Sequence, residues 1–182
     1  VLLHQIKTSR SKNVLVEGQF YHEVKSLVNL HKLEVEILNC KVLKNKELLN
    51  EDEIILGKLS DNVCTMFTSG TSGPSKGVMM PNAHCVLFAI GTIENYNLKD
   101  DHTFYISLPL FHANGLFMQL LACIMTGAKA VIRTRFSASN WLNDIRNYNI
   151  THTNMLGAIA AFIVAQPPTK YDKDHNLEVI GS

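Results

Sequence analysis

From Thr103 onward, short β-like runs alternate with helical patterns, and this alternation limits the fold more than any other feature of the chain. Thr103–Ser107, Ala128–Ile132, Thr151–Asn154 and Leu177–Ile180 read as strands. Between them lie an apolar helix over Leu116–Thr126 and a second helix capped by Ser137 or Ser139. The second helix carries Trp141, Ile145 and Tyr148 at i, i+4, i+7 spacing, with Trp141 as a core anchor. A third helix runs over Gly157–Ala165 and is stopped by Pro167-Pro168. Strands separated by helices are joined by crossovers, and crossovers build parallel neighbours with a right-handed connection. The expected fold class is α/β, a mainly parallel sheet with flanking helices.

The first part of the chain is less regular. Val14–Glu17 reads as a strand, Tyr21–Asn29 as a helix and Val35–Leu38 as a strand, while Leu43–Leu59 is a candidate hairpin. After the apolar run Val63–Phe67, Gly77–Met80 reads as a short strand. Asn82 then caps a helix running to about Asn95, with Val86, Ile90 and Ile93 on its apolar face.

Between those last two strands lies Thr68-Ser69-Gly70-Thr71-Ser72-Gly73-Pro74-Ser75-Lys76-Gly77. Glycines at the end of a strand let the backbone turn so that successive N–H groups face an anion. The hydroxyls of Thr68, Ser69, Thr71 and Ser72 add donors, and Lys76 adds a charge-assisted one. A flexible Ser/Gly linker is the plain alternative, but linkers seldom follow a strand directly and end in Lys-Gly. The Walker A pattern fails twice: Ser75 stands where its second glycine belongs, and Gly77 where its Mg²⁺-binding hydroxyl belongs.

Met66–Gly77 instead resembles the signature loop of the adenylate-forming superfamily, T-S-G-T-T-G-x-P-K-G, with Pro74 and Ser75 transposed. Pro109-Leu110-Phe111-His112-Ala113-Asn114-Gly115 is similar to a second motif of that family, P-L-F-H-x-x-G, and follows in the right order. Residues 63–182 carry the resemblance, which is much fainter over 1–62. It implies that 1–182 is one partial AMP-binding domain, the N-terminal domain of an acyl-CoA synthetase-like fold. The rest of that domain and the small mobile C-terminal domain would lie beyond Ser182, so the chain is expected to be an inactive fragment of its parent.

The resemblance also implies an activity: a carboxylic acid, ATP and CoA give acyl-CoA, AMP and pyrophosphate through an acyl-adenylate, with Mg²⁺ on the phosphates. It assigns Thr68, Ser69, Gly70, Thr71, Ser72, Gly73 and Lys76 to the β- and γ-phosphates. It assigns catalytic roles to His112 and Lys76, and acyl-substrate contacts to His112, Gly115 and Met118; the plain alternative for His112 is a structural histidine bonded to backbone. Gly115 is expected to permit close approach of substrate and Met118 to line the acyl pocket. No metal ligand is assigned on this chain. Ala165-Gln166-Pro167-Pro168, Asp172–Leu177, Phe104–Leu116 and Phe136–Asn147 resemble carnitine/crotonobetaine-CoA ligases. A fatty-acid or aryl-acid CoA ligase and a non-catalytic nucleotide-binding module are the alternatives.

Composition removes other classes. Seventeen basic and sixteen acidic side chains leave a formal charge of +1, so bulk electrostatics point to no nucleic-acid partner. Cys40, Cys64, Cys85 and Cys123 show no C-x-x-C spacing, which fits reduced thiols in a cytoplasmic protein. The eight histidines form no zinc motif. The most lipid-like stretch, Leu116–Met125, is about half of the ~20 residues a membrane span requires.

Overall fold

The computed structural model describes residues 1–41, 57–70 and 73–182. They fall into two compact units, Val1–Met79 and Met80–Ser182. The candidate hairpin at Leu43–Leu59 lies outside the described residues except at its end, as do Thr71 and Ser72.

In the first unit, helix α1 (Leu2–Ser9) precedes strand β1 (Asn13–Val16), helix α2 (Tyr21–Leu30) and strand β2 (Glu36–Asn39). β1 and β2 pair in parallel, with Val14 opposite Ile37, across the α2 crossover. Val24 and Val28, one turn apart on α2, pack on Val16 over Val14 and Ile37. The strands and helix read from the sequence agree with these elements to within a residue; α1 was not anticipated. The unit ends in a second two-stranded sheet of β3 (Asn62–Phe67) and β4 (Gly77–Pro81), whose last residues pass into the second unit.

The second unit is a doubly wound sheet. After helix α3 (Asn82–Tyr96) come β5 (Thr103–Ile106), a π-helical segment (Asn114–Leu121) and helix α4 (Ala122–Thr126). Then follow β6 (Lys129–Ile132), α5 (Ala138–Asn147), β7 (His152–Asn154), α6 (Gly157–Val164) and β8 (Val179–Gly181). The strand order is β6-β5-β7-β8, and every pairing is parallel. Alternate residues of β5 serve the two faces. Phe104 and Ile106 join Ala89, Leu98, Ala122 and Cys123 beneath α3 and α4, while Tyr105 joins Trp141, Ile145, Ile150 and Met155 beneath α5.

The parallel α/β architecture expected from the sequence is therefore present, with five local differences. Asn82 is the first residue of α3 and Pro81 holds the cap position, with no side-chain cap bond. The buried stripe of α3 is Cys85, Ala89 and Thr92, displaced by one position from Val86, Ile90 and Ile93, and Ile90 is exposed. Small side chains face inward there because α3 lies close against the π segment and α4. Leu116–Thr126 is helical, but its first part is wound with the wider π spacing. On α5, Trp141 and Ile145 are buried while Tyr148 sits past the helix end, half exposed. Ser137 does occupy the cap of α5, yet its hydroxyl pairs with Ser139 Oγ and bonds no backbone amide.

Three helices end alike. Lys32, Asn97 and Asn149 adopt positive φ, and the amides of Leu33, Leu98 and Ile150 donate to the carbonyls of Val28, Ile93 and Ile145. This is the left-handed stop that satisfies orphan carbonyls and returns an apolar residue to the core.

Candidate functional site

The Gly/Ser/Thr loop joins β3 to β4 in the first unit. Its base is closed twice by the same pair of residues: Thr68 N–H donates to Lys76 O at 3.0 Å, and Lys76 N–H donates to Thr68 Oγ1 at 3.0 Å. Gly77 continues the closure, since a Cβ there would stand 2.9 Å from Thr65 Cγ2 on β3. Within the loop Gly73 N–H donates to Gly70 O at 3.3 Å, and Gly70 has φ 66°. A Cβ on Gly70 would lie 2.7 Å from Gly73 O and 3.1 Å from Ser75 N, so only glycine fits this turn.

These bonds divide the donors. The amides of Thr68, Gly73 and Lys76 are used in the loop's own closure. The amides of Ser69, Gly70 and Ser75 bond no described residue, and the Thr68 hydroxyl accepts from Lys76 while keeping its own proton to donate. Lys76 is exposed and its ammonium pairs with no described residue. A set of unspent amides, a hydroxyl and one ammonium on a loop of fixed width suits an anion with several oxygens. Among the described residues no cluster of three or more His, Cys, Asp or Glu could hold a metal ion.

The second motif lies in the second unit, where the winding of the sheet reverses. The chain leaves β5 toward β6 and returns past β5 to β7, so the crevice between the carboxyl ends of β5 and β7 is the topological switch point. Pro109–Gly115 leaves β5 at that end, and Asn154 closes β7 beside it. His112 N–H donates to Pro109 O at 3.1 Å, and the ring stands exposed against Phe111 at a centroid distance of 4.6 Å. The ring bonds no described residue, unlike a histidine used as a structural tie. Gly115 is buried, and a Cβ there would fall 2.6 Å from Pro109 O and 2.9 Å from Leu108 O. The close approach at this glycine is made by the protein's own chain.

A cavity of about 430 Å³ opens beside the switch point. Met118 and Asn114 line it from the π segment, Phe88 and Tyr96 from α3, Asn154 from β7 and Gly181 from β8. Tyr96, Asn154 and Gln119 were not singled out from the sequence. In a π-helix residues five apart share a face, so Gln119 falls beside Asn114 and donates from Nε2 to Asn114 Oδ1 at 2.8 Å. A larger hollow of about 700 Å³ lies between α5, α6 and the α6–β8 connection, and no residue of either motif lines it.

A buried histidine ties the other end of the sheet to α3. His152 Nε2 donates to Tyr96 O at 3.0 Å, and the ring stacks on His102 at 4.3 Å. Burial pushes its pKa below the ordinary histidine value and His102 lowers it further, against an upward pull from the Tyr96 carbonyl and Glu178. The unfolded chain takes up the proton near pH 6.5, whereas the folded chain resists it. Stability is thus complete above about pH 6.5 and falls as pH drops toward the lowered folded value. Urea midpoints measured from pH 7.5 to 5 should fall, and His152→Gln should flatten that slope.

Burial also pushes the Cys123 thiol up to about 12 and raises Cys64, so both stay protonated and unreactive. The AMP-binding enzyme family matches residues 2–182, essentially the whole chain. The chain belongs to the AMP-binding enzyme family.

Long-chain fatty acid transport protein 6 of Mus musculus is 27% identical over 192 residues, covering 98% of this chain and 31% of that protein. The medium/long-chain-fatty-acid–CoA ligase FadD17 of Mycobacterium tuberculosis is 30% identical over 122 residues, covering 67% of this chain and 24% of that protein. ATP-bound MatB from Rhodopseudomonas palustris shares the fold at a TM-score of 0.83 with 16% identity, over 98% of this chain and 36% of that one. O-succinylbenzoate coenzyme A synthetase from Bacillus subtilis, in complex with AMP, matches at 0.77 with 22% identity, over 98% of this chain and 44% of that one. The chain spans about a third or less of the length of the curated relatives it matches. Its sheet and helices have the fold found in adenylate-forming enzymes.

Proposed function

We propose that this chain is the polyphosphate-gripping part of an AMP-forming acyl-CoA ligase, in which a carboxylate attacks the α-phosphorus of ATP, pyrophosphate leaves, and the CoA thiol then displaces AMP. The observation that carries the reading is the Thr68–Lys76 closure, which leaves unspent donors on a loop that only glycine can shape. The attacking carboxylate and the leaving pyrophosphate are both anionic, so preorganised donors at this loop lower the barrier by electrostatic stabilisation. Ser69, Gly70 and Lys76, with the Thr68 hydroxyl, hold the β- and γ-phosphates in this reading; Thr71, Ser72 and Gly73 complete the loop. Mg²⁺ would neutralise phosphate charge, and among the described residues of the loop the hydroxyls of Thr68 and Ser69 are the neutral oxygens that could stand beside it. His112 faces the carboxylate of the acid, and Met118 lines the acyl cavity.

The acid is proposed to be a fatty acid, the class after which the fatty acid transport protein and the fatty-acid–CoA ligase among the relatives are named. The finer assignment to carnitine-like acids draws on Ala165–Pro168 and Asp172–Leu177. Gln166, Pro167, Pro168 and Asp172 line the hollow between α5 and α6, not the cavity at the switch point. A cytoplasmic location belongs to the same proposal and is supported by four cysteines that form no disulfide. No helix among the described residues is long and apolar enough to cross a membrane.

The test is to supply the full-length protein with ATP, Mg²⁺, CoA and a panel of fatty, aryl and carnitine-like acids while following AMP release. Release dependent on a fatty acid is the expected result. Release with no acid on the panel would overturn the ligase reading, and release with carnitine-like acids alone would overturn the fatty-acid assignment.

A further inference from the structure

Four side chains, of which Asn114, Asn154 and Tyr96 line the switch-point cavity and Gln119 lies buried behind it, form a hydrogen-bond chain that runs in one direction. Gln119 Nε2 donates to Asn114 Oδ1 at 2.8 Å, Asn114 Nδ2 to Asn154 Oδ1 at 3.3 Å, and Asn154 Nδ2 to the Tyr96 hydroxyl oxygen at 2.7 Å. Each link donates toward Tyr96, so the amide dipoles add and polarise the phenol at the end of the chain. The Tyr96 O–H proton meets no acceptor among the described residues. At the opposite end Gln119 is fully buried, and its Oε1 has no partner among them. A buried amide with one group orphaned is costly, and a chain retained at that cost calls for a role beyond packing.

Tyr96 is held more firmly than a surface tyrosine would be. Its ring stacks on Phe104 at 6.1 Å and 10°, and its carbonyl is fixed by His152 Nε2. The phenol lies so close to Gly181, the last residue of β8, that a Cβ there would overlap the hydroxyl. Four elements therefore fix a phenol with an unspent O–H on the wall of a cavity of about 430 Å³, within the range of small-molecule sites. The described residues lining that cavity carry no charge, and Leu87, Phe88 and Met118 give it an apolar wall.

We infer that Tyr96 is a specificity-determining residue whose O–H, oriented by the Gln119–Asn114–Asn154 chain, donates to an uncharged oxygen on the acyl group, so that the cavity prefers a hydroxy- or keto-bearing acid to the plain acid of equal length. The inference rests on the acyl-ligase reading for the name of the ligand; its test does not depend on turnover. A donor aimed at the ligand discriminates because an acid lacking the oxygen leaves the phenol unpaired in an apolar surround.

The decisive experiment is equilibrium binding by calorimetry, using the full-length protein with dodecanoic acid and its 3-, 6- and 12-hydroxy and keto analogues. At least one oxygenated acid should bind about tenfold tighter than dodecanoic acid, the worth of one hydrogen bond to an otherwise unpaired group. Tyr96→Phe, which keeps the ring and its stack, should bring the two affinities together. Gly181→Ala displaces the phenol without deleting it and should erase the preference in the same way; thermal melts establish that both variants are folded. Equal affinity for all the acids in the unaltered protein, or a preference that survives Tyr96→Phe, would overturn the inference. Failure of AMP release with every acid bears on the ligase reading alone, because the binding ratio is measured without catalysis.

Discussion

Replacing Lys76 by alanine is expected to lower acid-dependent exchange of pyrophosphate into ATP by more than about tenfold, the effect of deleting one charge-assisted hydrogen bond to a phosphate oxygen. The substitution is clean because Lys76 holds the loop with its backbone: its N–H and its carbonyl both bond Thr68, and alanine retains both. The exposed ammonium pairs with no described residue, so its removal takes charge from the loop and leaves the closure in place. Thr68→Val makes the complementary test, since it deletes the hydroxyl that receives Lys76 N–H. Loss of exchange in Lys76→Ala with an unchanged melting temperature places the effect at the phosphates. Equal exchange in variant and parent would remove Lys76 from the reaction.

The largest stability effect is expected at Asp144, on α5. Its Oδ2 accepts from the Tyr105 hydroxyl at 2.9 Å and lies 3.2 Å from Arg133 Nε. Tyr105 stands on an inner strand and is almost fully buried, and the carboxylate is the one acceptor its hydroxyl has among the described residues. Burial, then Asp144, raise the phenol's pKa, so it remains a donor wherever the protein is folded. Asp144→Ala orphans that O–H inside the core and is expected to cost about 3 kcal/mol, whereas Tyr105→Phe alone is expected to cost about 1 kcal/mol. With the donor already gone, Asp144→Ala should cost clearly less, and urea unfolding of the four proteins of this cycle measures the difference. An additive cycle would show that Asp144 acts through Arg133 or through helix packing instead.

Much of this architecture was legible because it follows from local chemistry. The alternation after Thr103 depends on strand-forming runs separated by helices of sufficient length, and β5 to β8 fall where those runs are. The left-handed stops at Asn97-Leu98 and Asn149-Ile150 were not read from the sequence, although each is a residue tolerant of positive φ followed by one that returns to the core. The face of α3 was misplaced by one position because periodicity registers large apolar residues. Helix proximity selects small ones, and Cys85, Ala89 and Thr92 took the inside.

At the candidate site the motifs were visible, but the bonds that shape them were not. Nothing in the order of residues says that Thr68 and Lys76 close the loop and thereby withdraw two amides from any anion. Gly115 reads equally well as room for a ligand or room for the chain, and the carbonyls of Leu108 and Pro109 fill that room. Asn114 and Gln119 meet because the helix there bonds each residue to the fifth beyond it, and ordinary helical spacing would have set them apart. Asn154 and Tyr96 reach the same place through strand order, a long-range property with no local signature.

The central claim is that the loop between β3 and β4 receives the phosphates of ATP on amides its own closure leaves unspent. Amide nitrogen–proton correlation spectra of the full-length protein, recorded as Mg²⁺-ATP is added, follow those groups one by one. The signals of Ser69, Gly70 and Ser75 should move progressively to saturation, while Lys76, whose amide is already bonded to Thr68, should move less. Saturating nucleotide that leaves Ser69 and Gly70 unmoved and shifts amides elsewhere would contradict the account.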